Sequence, residues 1–213
     1  SFLPWILYYA VLTLRGIRQS WLFFAVSLAA LALTHNITLI LAFPILVIFA
    51  ACEWLKIKVV DQDWHWQRVL HLVGGGLLAI ALSAFYLFPA FSEKGFTQVD
   101  DYILDYYFNY QLHFLYIRQF FNHTWQFGGS GWGPNDDISF GLGIGQLLAL
   151  GLTSILSAIY VFKEIRRKSL ARLIHYKWTW LFVAATICLI IPLLMTLEKT
   201  ISIWKMVPLL KYA

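Results

Sequence analysis

The sequence predicts an all-α fold, that of a polytopic helical membrane protein. Of the 213 residues, 60% are hydrophobic and 13% are charged, whereas a soluble domain has about 45–50% apolar and about 25% charged residues. The apolar residues are concentrated in runs, and a helix needs roughly 20 of them to cross a bilayer. Lipid offers backbone polar groups no partners, so only helices and closed barrels span it. Barrel strands alternate apolar and polar residues, and these runs do not, so helices are predicted.

Six transmembrane segments are predicted, at 2–14, 21–34, 37–55, 69–91, 140–162 and 178–197. The second is short and joins the third through a tight turn at His35 and Asn36. Pro44 predicts a kink in the third segment. The fourth contains Gly74-Gly75-Gly76, and small residues let membrane helices approach closely. We expect these glycines to serve helix packing, because a phosphate-binding loop needs a strand before it and a lysine after it.

The ends of the chain indicate a single membrane domain, 1–213, that is a fragment of a longer protein. The chain begins at Ser1 without a methionine, already inside an apolar segment that stops at Arg15 and Arg18. A signal peptide would begin with basic residues and end in a small-residue cleavage site. Neither pattern is present in the sequence.

Lysines and arginines are unevenly divided between the connections. Eleven of the 16 lie on one side, which the positive-inside rule makes cytoplasmic. These are Arg15, Arg18, Lys56, Lys58, Arg68, Lys163, Arg166, Arg167, Lys168, Arg172 and Lys177. The net charge of +5 is then a consequence of topology. A nucleic-acid partner is not expected, because it would require a basic groove or a known motif.

The connection at about 92–139 is the longest one and is predicted to lie outside the cell membrane. A loop of this length is usually functional or has structure of its own. Its first half is rich in tyrosine and phenylalanine, which suits a helix at the level of the lipid headgroups. We therefore expect an interfacial helix over roughly 102–121.

Two groups of polar residues on the outer side have alternative interpretations. His35 and Asn36 either bond a helix end or face a cavity and bind a polar group of a substrate. Asp100 and Asp101 either belong to a solvated loop or bind a hard divalent cation, Mg²⁺ or Mn²⁺, through their oxygens.

A third group, Asp136 and Asp137, follows Gly133-Pro134-Asn135, which is good turn chemistry. Acidic residues near the start of a helix are also favourable by themselves. This pair is therefore open to a structural role or to a role in a site.

Several stretches together resemble a known family: Leu33-Thr34-His35-Asn36-Ile37-Thr38, Phe88-Pro89-Ala90-Phe91-Ser92-Glu93-Lys94, Trp125-Gln126-Phe127-Gly128-Gly129-Ser130-Gly131-Trp132-Gly133 and Asp136-Asp137-Ile138-Ser139-Phe140-Gly141-Leu142-Gly143. The combination resembles large bacterial membrane proteins called 6-pyruvoyl-tetrahydropterin-synthase-related. That family is distantly similar to the GT-C glycosyltransferases, which use sugars linked to a lipid phosphate. In GT-C proteins the catalytic carboxylate usually lies in the first outer loop, which here would precede Ser1.

The resemblance implies a bacterial inner-membrane enzyme that takes a sugar from a polyprenyl-phosphate carrier at the extracytoplasmic face. A carboxylate would act as general base, and a cation or basic group would stabilise the leaving phosphate. On this hypothesis the candidates for catalysis or for cation binding are Asp100, Asp101 and Glu93. The candidates for substrate binding are His35, Asn36 and Trp125, with Lys94 and Arg118 at the phosphate.

Two other classes of function stay open. A transporter or flippase of lipid-linked or polar solutes would need ionisable groups deep within the spans. The sequence has almost none there, since His71 lies near a segment end and Glu53 at the cytoplasmic edge. The third class is a non-catalytic membrane scaffold whose outer loop binds a partner. It predicts that the outer acidic residues are replaceable without loss of function.

Overall fold

The structure, a computed structural model, describes residues 2–97, 109–122, 127–131, 133–166 and 177–206. The described residues are all-helical in class: 79% of them are helical, and they form two isolated β-bridges and no strand. The chain divides into two compact units. The first comprises Ser1–Thr97 and Ile174–Leu189, and the second comprises Gln98–Leu173 and Ile190–Ala213.

Seven α-helices are described. They are α1 (Leu3–Leu14), α2 (Ser20–Thr34), α3 (Asn36–Lys56), α4 (Trp66–Ser92), α5 (Ile144–Arg166), α6 (Lys177–Met195) and the short α7 (Ile201–Met206). A π-helical turn, Ile57–Asp61, continues α3. The first six helices match the six predicted segments in order and position, which confirms the prediction of an all-α fold.

Three of these helical stretches are long and apolar enough to cross a membrane: Thr38–Asp61, Trp66–Ser92 and Ile144–Arg166. The apolar helices Leu3–Leu14, Ser20–Thr34 and Thr179–Met195 are shorter. A helix rises 1.5 Å per residue, so the 12 residues of α1 give about 18 Å of a bilayer core that is about 30 Å thick. A membrane protein is therefore supported, and the number of six spans stays a prediction.

In the first unit, α2 packs against both α1 and α4. The α2–α4 contact is made by small residues, as expected: Gly75, Ala79 and Ser83 of α4 are buried and spaced four residues apart. A Cβ on Gly75 would lie 2.8 Å from Cδ1 of Phe24 and 2.9 Å from the carbonyl oxygen of Trp21. Only a residue without a side chain lets the two helices approach this closely.

The predicted interfacial helix is wrong in the part that the structure describes. Residues 109–121 form two 3₁₀ turns, Tyr110–Leu112 and Ile117–Phe121, with non-helical residues between them. Phe114 and Leu115 are buried, and the backbone N–H of Leu115 donates to the carbonyl oxygen of Thr196 at 2.8 Å. In a helix, the N–H of Leu115 would bond a carbonyl oxygen one turn earlier. Here it bonds a distant segment of the same unit. Residues 102–108 lie outside the described part of the chain.

Candidate functional site

The predicted site residues fall into three groups. His35, Glu93 and Arg118 have described side chains. The side chains of Asn36 and Lys94 and the whole of Asp100, Asp101 and Trp125 lie outside the described residues. His35 and Glu93 belong to the first unit, and Arg118 belongs to the second.

His35 is the N-cap of α3. Its Nδ1 accepts the backbone N–H of Thr38 at 3.2 Å and also lies 2.9 Å from the hydroxyl of Thr38. An acceptor at Nδ1 places the proton of a neutral ring on Nε2. Of the two interpretations of His35, the geometry therefore supports the helix-end one, since the first N–H groups of a helix need such partners.

Glu93 is the C-cap of α4, and its side chain is exposed. Its backbone N–H donates to the carbonyl oxygen of Pro89 at 2.8 Å, and its own carbonyl oxygen accepts from the N–H of Phe96 at 2.9 Å. The backbone of Glu93 thus ends the helix, and its carboxylate faces solvent.

Two stretches of the described part of the outer loop, around Gly128 and around Asp137, are paired with each other. The N–H of Gly128 donates to the carbonyl oxygen of Asp137 at 2.7 Å, and the N–H of Asp137 donates to that of Gly129 at 3.1 Å. Phe127 and Ile138 form an antiparallel bridge beside them. A Cβ on Gly128 would collide with the Cβ of Asp137. The pairing therefore requires glycine at this position.

Asp136 organises the loop through both of its oxygens. Oδ2 accepts from the side-chain amide of Gln119 at 2.6 Å, and Oδ1 accepts the backbone N–H of Gly131 at 2.7 Å. Gln119 is 5% exposed, and its own Oε1 accepts the N–H of Tyr116 at 2.7 Å. These bonds join three separate parts of the loop, so the structural interpretation of Asp136 is supported.

Beside this network lies an open cavity of about 410 Å³, and Arg118, Asn135, Asp136 and Asp137 are among the residues that line it. The guanidinium of Arg118 donates to Oδ1 of Asn135 at 3.1 Å. Arg118 and Asp137 are both exposed. One exposed arginine and one exposed aspartate therefore line the same cavity. Of these residues, the sequence predicted a site role for Arg118 and left Asp136 and Asp137 open to a structural role or to a role in a site.

The second unit has an aromatic cluster that includes Tyr110 and Phe114 of this loop. The ring of Trp204 stacks on Tyr110 at 5.6 Å and meets Phe114 edge-on at 5.9 Å, and its indole N–H donates to the carbonyl oxygen of Met195 at 2.8 Å. A side-chain hydrogen bond with Glu198, then desolvation and the negative charge of Glu198, raise the pKa of Tyr116. The cluster fixes residues 110–116 to the segment that follows α6.

Three basic residues of the first unit, Arg15, Lys56 and Arg68, bond groups close to the ends of helices. Arg68 of α4 donates to the carbonyl oxygen of Leu14 at 3.5 Å, and it also pairs with Asp63 at 2.8 Å. Arg15 and Lys56 both bond Glu53, at 2.7 and 3.0 Å. The hydrogen bond from Arg68 lowers the pKa of Asp63.

Among the described residues, no group of three or more histidine, cysteine, aspartate or glutamate side chains is placed to hold a metal ion. The aspartates predicted for that role, Asp100 and Asp101, are outside those residues. Comparisons with protein-family models, curated proteins and solved structures found no match.

Proposed function

We propose that the protein is a GT-C-like membrane glycosyltransferase. It takes a sugar from a polyprenyl-phosphate carrier and transfers it to an acceptor at the extracytoplasmic face of the bacterial inner membrane. In this proposal all six apolar helices cross the membrane, the basic connections are cytoplasmic and the loop at about 92–139 is outside. The proposal extends the family resemblance of the sequence.

The observation that carries the proposal is the cavity beside Arg118 and Asp137. Transfer of a sugar from a phosphate needs a base for the acceptor hydroxyl and a positive group for the leaving phosphate. The cavity has an exposed carboxylate and an exposed guanidinium on its lining. It lies in the predicted outer loop, and α5, which is long enough to span a membrane, begins a few residues after Asp137.

In the proposed reaction, the bond between C1 of the sugar and the phosphate oxygen breaks while C1 forms a bond to the acceptor oxygen. The carboxylate of Asp137 takes the proton of the acceptor hydroxyl. The phosphate leaves with the bonding electrons, and the guanidinium of Arg118 stabilises its charge. Arg118 suits this role because a guanidinium binds two phosphate oxygens at once. Asp136 positions the loop, since both of its oxygens already accept hydrogen bonds from protein groups.

The residues outside the described part keep their proposed roles. Asp100 and Asp101 are proposed to bind Mg²⁺ or Mn²⁺, and Trp125 to stack on the sugar. Lys94 stays a candidate for binding a phosphate. Glu93, whose side chain is exposed, stays a candidate for the acceptor, and Asn36 stays a candidate for a polar substrate group. The described contacts of His35 favour a structural role for its ring.

The test is a transfer assay with the full-length protein in membranes. It measures release of label from a panel of polyprenyl-phosphate sugars, with and without Mg²⁺ or Mn²⁺. Asp137→Asn removes the proposed base and should lower kcat by about 10²–10⁴-fold. Arg118→Gln should lower it by about 10²–10³-fold. Glu198→Gln is the matched control, because its carboxylate is bonded to Tyr116 and does not line the cavity.

The outcomes separate the function classes. Full activity of Asp137→Asn, at equal membrane insertion, refutes the role of the cavity but leaves the transferase class; the double variant Asp100→Asn, Asp101→Asn then tests the other carboxylates. If wild type transfers no sugar from any donor, the transferase class is wrong, and the transporter and scaffold hypotheses gain support.

A further inference from the structure

A second cavity, of about 430 Å³, lies in the first unit and is independent of the proposed transferase site. Its wall is apolar and is formed by Leu7 and Val11 of α1, Phe49 of α3 and Leu181 of α6, with a few further residues. At one end the lining changes to charged side chains, those of Arg15, Glu53 and Lys56. The cavity thus has a long apolar part and a charged end.

The dimensions of the cavity follow from the helices that line it. The lining of α1 runs from Pro4 to Arg15 at helical spacing, which is about 16 Å at 1.5 Å per residue. The lining of α3 runs from Phe49 to Lys56. Both helices end at the charged part of the cavity, because Arg15 follows α1 directly and Lys56 is the last residue of α3. The apolar part is therefore a groove that extends along the helices from their charged end.

The charged end is held together by Glu53. Its Oε1 bonds Nε of Arg15 at 2.7 Å and Nζ of Lys56 at 3.0 Å. Glu53 and Lys56 are buried, at 8% and 5% exposure, and Asp61, which does not line the cavity, lies 3.4 Å from Lys56. Lys56 is thus shared by two carboxylates, whereas the side chain of Arg15 is 49% exposed and meets Glu53 through Nε. Arg15 presents the accessible positive charge at this end.

We propose that this groove binds an anionic phospholipid, with one acyl chain along the apolar wall and the phosphate on the guanidinium of Arg15. An acyl chain needs an apolar wall parallel to a membrane helix, and its anionic headgroup needs a cation at the end of that wall. The groove supplies both, with the cation fixed by an ion pair to the buried Glu53. A free phosphate ion would use the charged end only, and an uncharged lipid would use the wall only.

The experiment is native mass spectrometry of the full chain, purified from membranes and re-equilibrated with either phosphatidylglycerol or phosphatidylcholine. We expect wild type to retain one phosphatidylglycerol more often than one phosphatidylcholine. Arg15→Gln should reduce phosphatidylglycerol retention by about fivefold, since a basic residue near an anionic lipid contributes about 1 kcal/mol. Arg15→Lys should keep most of it. Leu7→Trp, which fills the groove, should reduce retention of that lipid without changing any charge.

Arg18→Gln is the matched control, because Arg18 is an exposed arginine in the same connection and does not line this groove. Equal losses in Arg15→Gln and Arg18→Gln would overturn the proposal in favour of general surface charge. Equal retention of the two lipids by wild type would also overturn it. Inorganic phosphate that displaces the bound lipid at millimolar concentration would show a site for free anions, and the lipid assignment would then be wrong.

Discussion

Gly75 offers a sharp test of the packing between α2 and α4. In Gly75→Ala the new Cβ would lie 2.8 Å from Cδ1 of Phe24 and 2.9 Å from the carbonyl oxygen of Trp21. Ordinary van der Waals contacts of a Cβ begin at 3.4 Å, so the helices must separate by about half an ångström. The ring of Phe24 has some freedom to turn, but the carbonyl oxygen of Trp21 belongs to the backbone of α2. Relief of the second contact therefore requires a shift of the helix.

The magnitude follows from the known cost of overpacking. Extra methyl groups in a well-packed interior cost about 1–3 kcal/mol. The neighbours Gly74 and Gly76 provide matched controls, because a Cβ at either position meets nothing within 4 Å. At those positions Gly→Ala brings only the gain in helix propensity, up to about 1 kcal/mol. Gly75→Ala has the same gain in propensity, so the overpacking cost should make it less stable than either control by about 1–3 kcal/mol.

The assay is the free energy of unfolding of each variant in bicelles, measured by steric trapping or by pulse proteolysis. If Gly75→Ala unfolds with the same free energy as Gly74→Ala, the two helices are not in close contact at this position, and the reasoning is refuted. If all three variants are destabilised equally, the glycines serve backbone flexibility instead of packing.

Three further predictions test single contacts. Asp136→Ala leaves the buried amide of Gln119 unpaired, so the outer loop should lose about 1–3 kcal/mol of local stability. Hydrogen exchange at 127–139 measures this loss, and Asp137→Asn should change the exchange little. Arg68→Gln should raise the pKa of Asp63 in an NMR titration, because the hydrogen bond from Arg68 lowers this pKa. A carboxylate whose pKa is lower in the folded state than its unfolded value near 4 stabilises the fold above that pH, and this stability is lost on acidification. Wild type should therefore lose more stability at low pH than the variant. His35→Ala should cost about 1 kcal/mol as a lost N-cap, whereas His35→Asp, which keeps a capping oxygen, should unfold like wild type; equal losses in both would contradict the capping role.

The helices were predictable because each is determined by its own residues. A run of apolar residues without period-two alternation defines a membrane helix with no knowledge of the rest of the fold. Packing at Gly75 was predictable in kind, since small residues permit close approach. Which of the three glycines makes the contact was not predictable, because this depends on the rotation of α4 relative to α2.

The outer loop could be predicted less well, because its structure depends on contacts between residues far apart in sequence. The aromatic residues of its first half suggested an interfacial helix, but Phe114 packs on Trp204, and the N–H of Leu115 is bonded to Thr196. Local sequence carries no signal for partners about 80 residues away. The same limit applies to Asp136, whose bond to Gln119 spans 17 residues.

Asp136 and Asp137 show how neighbouring residues of one type come to have different roles. In the sequence they are two equivalent carboxylates after a turn. In the structure, Asp136 binds the loop together through both side-chain oxygens. Asp137 does so through its backbone N–H and carbonyl groups, which leaves its side chain exposed at the cavity. An available carboxylate is what a general base requires, so the proposed chemistry falls to Asp137. Single variants are therefore needed, because a double substitution would remove the base and the loop structure together.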